Sequence, residues 1–203
     1  SKSDLSAKHF HILPLTTNLI QGNQDDNILT GTDANDRIEG SKDPIGRFED
    51  GYDILTGGKG DDVLIGGENR SPVGGYITDR DIFGDESGND IIIGFLTNGT
   101  GYSGGPSYDI IKIKPNINNS GIMSVTDVLS NISENDDNWA VIGLGGNNSI
   151  TLHGVRKVEL DSVHFEVITE TTNLIQGDQD DNILIGTDAN DRIEGSKDPI
   201  GRF

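Results

Sequence analysis

A nine-residue beat constrains this chain more than any other feature. Gly57 to Ile65 reads GGKGDDVLI and Gly31 to Glu39 reads GTDANDRIE: glycine first, an acid sixth, a large apolar residue eighth. Gly22 to Thr30, Phe48 to Thr56 and Asp85 to Ile93 keep the beat, with Asn27, Asp53 and Asp90 sixth and Leu29, Leu55 and Ile92 eighth. Tyr76 to Gly84 is a looser copy, with Asp81 sixth and Phe83 eighth. Six residues rich in Gly and Asp make a turn, and three around an apolar residue make a short strand. Two units then make one coil of a solenoid. The eighth residues Leu29, Ile38, Leu55, Leu64, Phe83 and Ile92 form its inward file, and the sixth-position acids stack coil on coil. One file of apolar side chains is a thin core to set against the entropy of ordering the turns, and stacked like charges oppose it further. A hard cation with six to eight oxygen ligands reverses that electrostatic term.

A longer period encloses the short one. Thr16 to Phe48 recurs as Thr171 to Phe203 with 31 of 33 positions identical, at an offset of 155. Leu5, His9 and Phe10 fall on Leu160, His164 and Phe165 at that offset. The chain is therefore expected to hold the tail of one module (residues 1–17), a roll (18–93), its cap (94–172) and the start of the next module (173–203).

Composition excludes several classes. A net charge of −19 leaves no basic patch for nucleic acid or an anionic membrane. With 0 Cys there is no disulfide framework and no thiolate metal site. No apolar run reaches the roughly 18 residues of a spanning helix, and no signal-peptide pattern opens the chain. The 28 glycines are periodic, which argues against a flexible linker.

The nonapeptides resemble the haemolysin-type RTX repeat, and the resemblance implies an all-β fold: a right-handed parallel β-roll that takes several Ca²⁺ ions. In that family one ion sits between stacked turns. The lower turn gives carbonyls from its second and fourth residues, the upper turn gives them from its first and third, and both add the sixth-position carboxylate. Carried onto this sequence, Thr32, Ala34 and Asp36 pair with Gly57, Lys59 and Asp62. Gly58, Gly60 and Asp62 pair with Asp85, Ser87 and Asp90. Glu49, Gly51 and Asp53 pair with Tyr76, Thr78 and Asp81. Asp191 is the copy of Asp36. A further pairing, of Asn23, Asp25 and Asn27 with Phe48, Asp50 and Asp53, has a neutral oxygen at Asn27.

After Ile93 the beat is expected to end. Asp109 to Ile113, Ala140 to Leu144, Ser149 to Leu152 and His164 to Ile168 read as strands, with a hairpin turn at 145–148. Ser124 followed by Asp127 is a capping pattern that opens one short helix with Val128, Leu129 and Ile132 on its apolar side. The stretch from Val141 to Ile168 resembles the β-rich cap of serralysin-type proteases and of the R-modules of mannuronan epimerases, so a β-sandwich-like cap closes the roll.

No catalytic motif competes. There is no HExxH, no phosphate-binding loop and no Cys nucleophile. The acids are accounted for by the repeat rather than by a paired-carboxylate hydrolase. His164 reads as structural and Trp139 as edge packing. Asp43-Pro44 and Asp198-Pro199 resemble self-cleaving Asp-Pro bonds of some RTX proteins, but the residues after Pro44 do not match those modules. The expectation is a non-enzymatic, calcium-binding spacer of a secreted or cell-surface repeat protein, exported by type I secretion and flanked by copies of itself. The alternative is a polysaccharide-binding accessory module of an extracellular enzyme. The insertions Ser41 to Arg47 and Glu68 to Gly75 fall in the third and fifth turns, so both are expected on one edge, where Arg47, Arg70 and Arg80 gather.

Overall fold

The computed structural model describes residues 14–23, 25–40, 52–66, 82–84, 87–100 and 106–168, and the strands at 173–176 and 191–194. The chain divides into two compact units, Ser1–Ile168 and Thr169–Phe203.

The first unit is built from short strands that alternate between two sheets. In the roll these are β1 (Asn18–Gln21), β2 (Ile28–Thr30), β3 (Asp36–Glu39), β4 (Ile54–Thr56), β5 (Val63–Ile65), β6 (Ile82–Gly84) and β7 (Asn89–Ile93). Beyond them lie β8 (Gly99–Thr100), β9 (Pro106–Ser107), β10 (Ile110–Ile113), the helix α1 (Val125–Ser130), β11 (Ile132–Glu134), β12 (Ala140–Gly145), β13 (Asn148–His153) and β14 (Phe165–Val167). One sheet has the order β1-β3-β5-β7-β13-β12-β11 and the other β14-β10-β6-β4-β2. All roll strands pair in parallel, as expected for a β-roll.

The register follows the eighth positions. Ile20, Ile38, Leu64, Ile92 and Leu152 align across one sheet. Leu29, Leu55, Phe83, Ile111 and Phe165 align across the other. Ile38, Leu55, Leu64, Ile92, Ile111 and Leu152 are buried in one continuous core, against which Ile20 and Leu29 pack half-buried. A one-residue slip would turn each strand's inward side chain to solvent, so the apolar file fixes the register.

Two elements extend the sequence reading. Asn18-Leu19-Ile20-Gln21 sits in register with Asp36-Arg37-Ile38-Glu39, which makes β1 a further coil whose turn carries no glycine. The beat also does not end at Ile93. β10 pairs with β6 so that Ile110 and Ile111 face Ile82 and Phe83. Asp109 therefore takes the sixth place, and Gly104 to Lys112, GGPSYDIIK, is on the beat. Its carboxylate is fully buried and accepts from Leu96 N–H at 2.8 Å.

The cap prolongs both sheets of the roll. β13 pairs in parallel with β7, and β12 and β11 follow it antiparallel. β14 pairs with β10. The Ser124 hydroxyl accepts from Asp127 N–H at the start of α1, as the capping pattern predicts. Val128 and Ile132 are buried, although Ile132 belongs to β11 rather than to the helix. His164 is structural: its Nδ1 accepts from Asp161 N–H at 3.0 Å, and Nε2 stands 2.8 Å from Thr97 O. The ring lies edge-on to Tyr108 and Phe165.

The second unit, described by itself, contains β15 (Asn173–Gln176) and β16 (Asp191–Glu194). They pair in parallel in the register of β1 and β3.

Candidate metal centre

The crossovers differ between the two margins of the roll. Those returning from the five-stranded to the seven-stranded sheet are short: 31–35, 57–62 and 85–88. Those in the other direction begin short at 22–27 and then lengthen, to 40–53, 66–81 and 94–109. Both insertions read from the sequence fall in the lengthened set, between β3 and β4 and between β5 and β6. The insertions themselves, with Arg47, Arg70 and Arg80, lie outside the described residues.

On the short margin the sixth positions form a buried column. Asp36, Asp62 and Asp90 are each 0% exposed, a rare state for carboxylates. Asp36 N–H donates to Asp62 Oδ1 at 2.7 Å, and Asp62 N–H donates to Asp90 Oδ1 at 2.7 Å. The opposite margin repeats the motif where it is described: Asn27 N–H donates to Asp53 Oδ1 at 2.8 Å, and Asp53 is fully buried. Burial pushes the Asp36 carboxyl up. Hydrogen bonds from Thr32 N–H, the Asn18 amide and the Thr32 hydroxyl outweigh it and hold the group below the ordinary carboxylate range.

A second ladder, which the sequence reading missed, runs through the fifth positions. Tyr52 N–H donates to Asp26 Oδ1 at 3.0 Å, Asp61 N–H to Asn35 Oδ1 at 2.9 Å, and Asn89 N–H to Asp61 Oδ1 at 2.9 Å. Its signal was present: Asp26, Asn35, Asp61 and Asn89 all stand one place before the sixth. In the sixth-position ladder an N–H donates to the coil above. In the fifth-position ladder it donates to the coil below.

The turns approach so closely that side chains are excluded. Gly58 and Gly60 have φ of +101° and +109°. A Cβ on Gly60 would stand 2.7 Å from the carbonyl carbon of Ala34, and one on Gly58 would strike Thr32 O. Carbonyl oxygens thereby crowd beside the acid column. Thr32 O accepts from Lys59 N–H at 3.1 Å, Gly58 O from Ser87 N–H at 3.2 Å, and Ser87 O from Gly60 N–H at 3.0 Å. Each carbonyl keeps a second lone pair for another partner.

Of the residues predicted to bind metal, Thr32, Ala34, Asp36, Gly57, Gly58, Lys59, Gly60, Asp62, Ser87 and Asp90 come together on the short margin. Asp53 stands on the other, and Asp191 opens β16. The Lys59 ammonium reaches out to Asp33 at 2.9 Å, while its backbone N–H donates to Thr32 O. Glu49, Gly51, Tyr76, Thr78, Asp81 and Asp85 lie outside the described residues. Asn18 and Asp109, the sixth-place residues of the added coils, were not among those predicted.

The donor set fits a hard cation. It is all oxygen, and a buried column of like charges is costly without a counter-charge. The Oδ2 atoms of Asp53, Asp62 and Asp90 are fully buried. No three His, Cys, Asp or Glu side chains converge among the described residues, and the other oxygens beside the column are main-chain carbonyls. That pattern suits calcium and not zinc.

A family model of the RTX calcium-binding nonapeptide repeat matches the chain in four copies, over residues 16–43, 49–70 and 169–198. These stretches are RTX repeats, and such repeats bind several Ca²⁺ ions. The strands β6, β7 and β10 fall outside the matched stretches and are placed in the stack by their register. No curated protein matches the chain.

Proposed function

We propose that this chain is a calcium-dependent structural module, without catalytic activity, in an exported extracellular or cell-surface protein built from copies of the same module. One observation carries this reading: Asp36, Asp62 and Asp90 are fully buried in a column hydrogen-bonded coil to coil. Such a column holds together when cations neutralise it and repels itself when they are withdrawn. Extracellular calcium modules work at about 10⁻⁴–10⁻³ M Ca²⁺, and binding to the folded state alone stabilises it by RT ln(1 + [L]/Kd). Low cytosolic calcium then keeps the repeats open for export, and the roll closes outside. The calcium-bound residues hold turns in place and touch no substrate. No helix among the described residues is long and apolar enough to cross a membrane.

The test is far-UV circular dichroism in EGTA and then in millimolar Ca²⁺. The β signal is expected to appear with calcium. A β spectrum already complete in EGTA and insensitive to calcium overturns the proposal. A glycan array on the loaded module addresses the polysaccharide alternative. Nothing at Trp139 favours that alternative: the ring packs against His153 with centroids 4.2 Å apart, in line with edge packing.

A further inference from the structure

The foot of the acid column is made differently from its middle. Asn18 is the residue in register with Asp36, so it occupies the sixth place of the first coil. Its Nδ2 donates to Asp36 Oδ1 and lies 3.4 Å from the Thr32 hydroxyl. Asp36 Oδ2 accepts from Thr32 N–H and, at 2.9 Å, from the Thr32 hydroxyl. Both oxygens of Asp36 are thus met by protein donors. Thr17 N–H adds a bond to Asn35 O at 2.6 Å across the same two coils.

The head of the column is closed as well. Ile150 is in register with Asp90 and is 2% exposed, so an alkyl group stands where the next acid would be. The coil is held instead by Gly88 N–H to Asn148 Oδ1 at 2.9 Å and by the Ser149 hydroxyl to Asn89 Oδ1 at 3.1 Å.

Resting on the calcium-dependent reading above, we propose that Asn18 ends the ion column. Its carboxamide stands in the place that a calcium ion takes between higher coils, and the ions of this margin lie only between Asp36, Asp62 and Asp90. An amide is a neutral donor that satisfies one carboxylate without needing a second. The lowest gap therefore closes at any calcium concentration that closes the gap above it. The second unit starts in the same way, with Asn173 in register with Asp191.

Asn18→Asp tests this without changing side-chain size. Two carboxylates would then share one gap, and a cation is required to hold them. The full chain is titrated with Ca²⁺ by circular dichroism, and the slope of log folding constant against log [Ca²⁺] counts the ions linked to folding. Asn18→Asp is expected to raise that slope by about one ion. Asn18→Ala, which loses the donor and adds no charge, is expected to shift the midpoint and keep the wild-type slope. An Asp variant with the wild-type slope, or one that fails to fold at any calcium concentration, overturns the proposal. So does an Ala variant whose slope rises as much as that of the Asp variant. A wild-type slope of zero overturns the calcium reading itself, which separates the two failures.

Discussion

Replacing Asp62 separates the ionic role of the column from its hydrogen-bonding role. Asp62 has an acid on each side, Asp36 below and Asp90 above, and all three are fully buried. Strands in a sheet lie about 4.8 Å apart. At that spacing two unit charges repel by about 3 kcal/mol at an effective dielectric near 20, and Asp62 meets that repulsion twice. On the proposed calcium reading the ions overcome it on both sides, and Asp62 serves two gaps. Asp53 has the neutral Asn27 below it and on the proposed reading serves one ion. Asp62→Asn keeps an oxygen that can accept from Asp36 N–H but removes the charge. Losing a charged ligand at two ions, at about tenfold or 1.4 kcal/mol each, is expected to lower the folding constant in saturating Ca²⁺ by about 100-fold. Asp62→Ala also strands the buried Asp36 N–H, which adds about 1–3 kcal/mol. Asp53→Asn is expected to lower the same constant by about tenfold. Calcium titrations by circular dichroism, with calorimetry on the folded variants, read these values. Equal shifts for Asp62→Asn and Asp53→Asn refute the assignment of two ions to Asp62. An unshifted Asp62→Asn refutes the ion column.

Three further outcomes follow from the geometry. Gly60→Ala forces a side chain onto a φ of +109° and against the backbone of Ala34; thermal melts in saturating Ca²⁺ are expected to show a loss of about 1–3 kcal/mol, and an unchanged midpoint would show that the turns are not packed as described. Leu64→Ala empties the middle of the apolar file, where Leu64 is 1% exposed, and is expected to cost about 2–5 kcal/mol by denaturant unfolding in calcium. The Ser124 hydroxyl, and then Met123 N–H, hold Asp127 below its ordinary value of 3.8. A carboxyl lowered in the folded state stabilises it above that value and loses this contribution as pH falls through the lower one. Acid titration of α1 is expected to show fraying there in the wild type and not in Asp127→Asn, and identical profiles would remove the cap from the explanation.

The roll was legible because its signals are local and periodic. Glycine at the first place, an acid at the sixth and an apolar residue at the eighth specify turn, ligand and core within nine residues. The strands of the cap were legible from alternation, as in β12, where buried and half-buried residues alternate along six positions. The missed coils broke one local rule each. The turn before β1 has Leu13, Pro14 and Thr16 in the places where Gly57, Gly58 and Gly60 stand two coils up, so only the pairing with β3 reveals its phase. The coil containing Asp109 is displaced from Ile93 by the long crossover, and counting by nines from Ile93 loses it. The β12–β13 hairpin read correctly as a hairpin. Its second strand also continues the roll, with Ile150 over Asp90, which is a fact of register between residues 60 apart. Asn18 was invisible as a functional residue because an amide in place of an acid looks like a lapse from the repeat until its partner is known.

The unequal margins of the roll imply two rates of change within one molecule. A turn on the short margin cannot gain or lose a residue without moving a carboxylate off its column and an apolar side chain off its file. Lengthening a crossover on the other margin from six residues to sixteen costs only about 1 kcal/mol in closure entropy, and the strand register is unchanged across it: Leu55 still faces Phe83, and Phe83 still faces Ile111. One side of the module is therefore bound by its mineral chemistry to a fixed spelling. The other is open to rewriting, and new sequence can be tried there without renegotiating the fold.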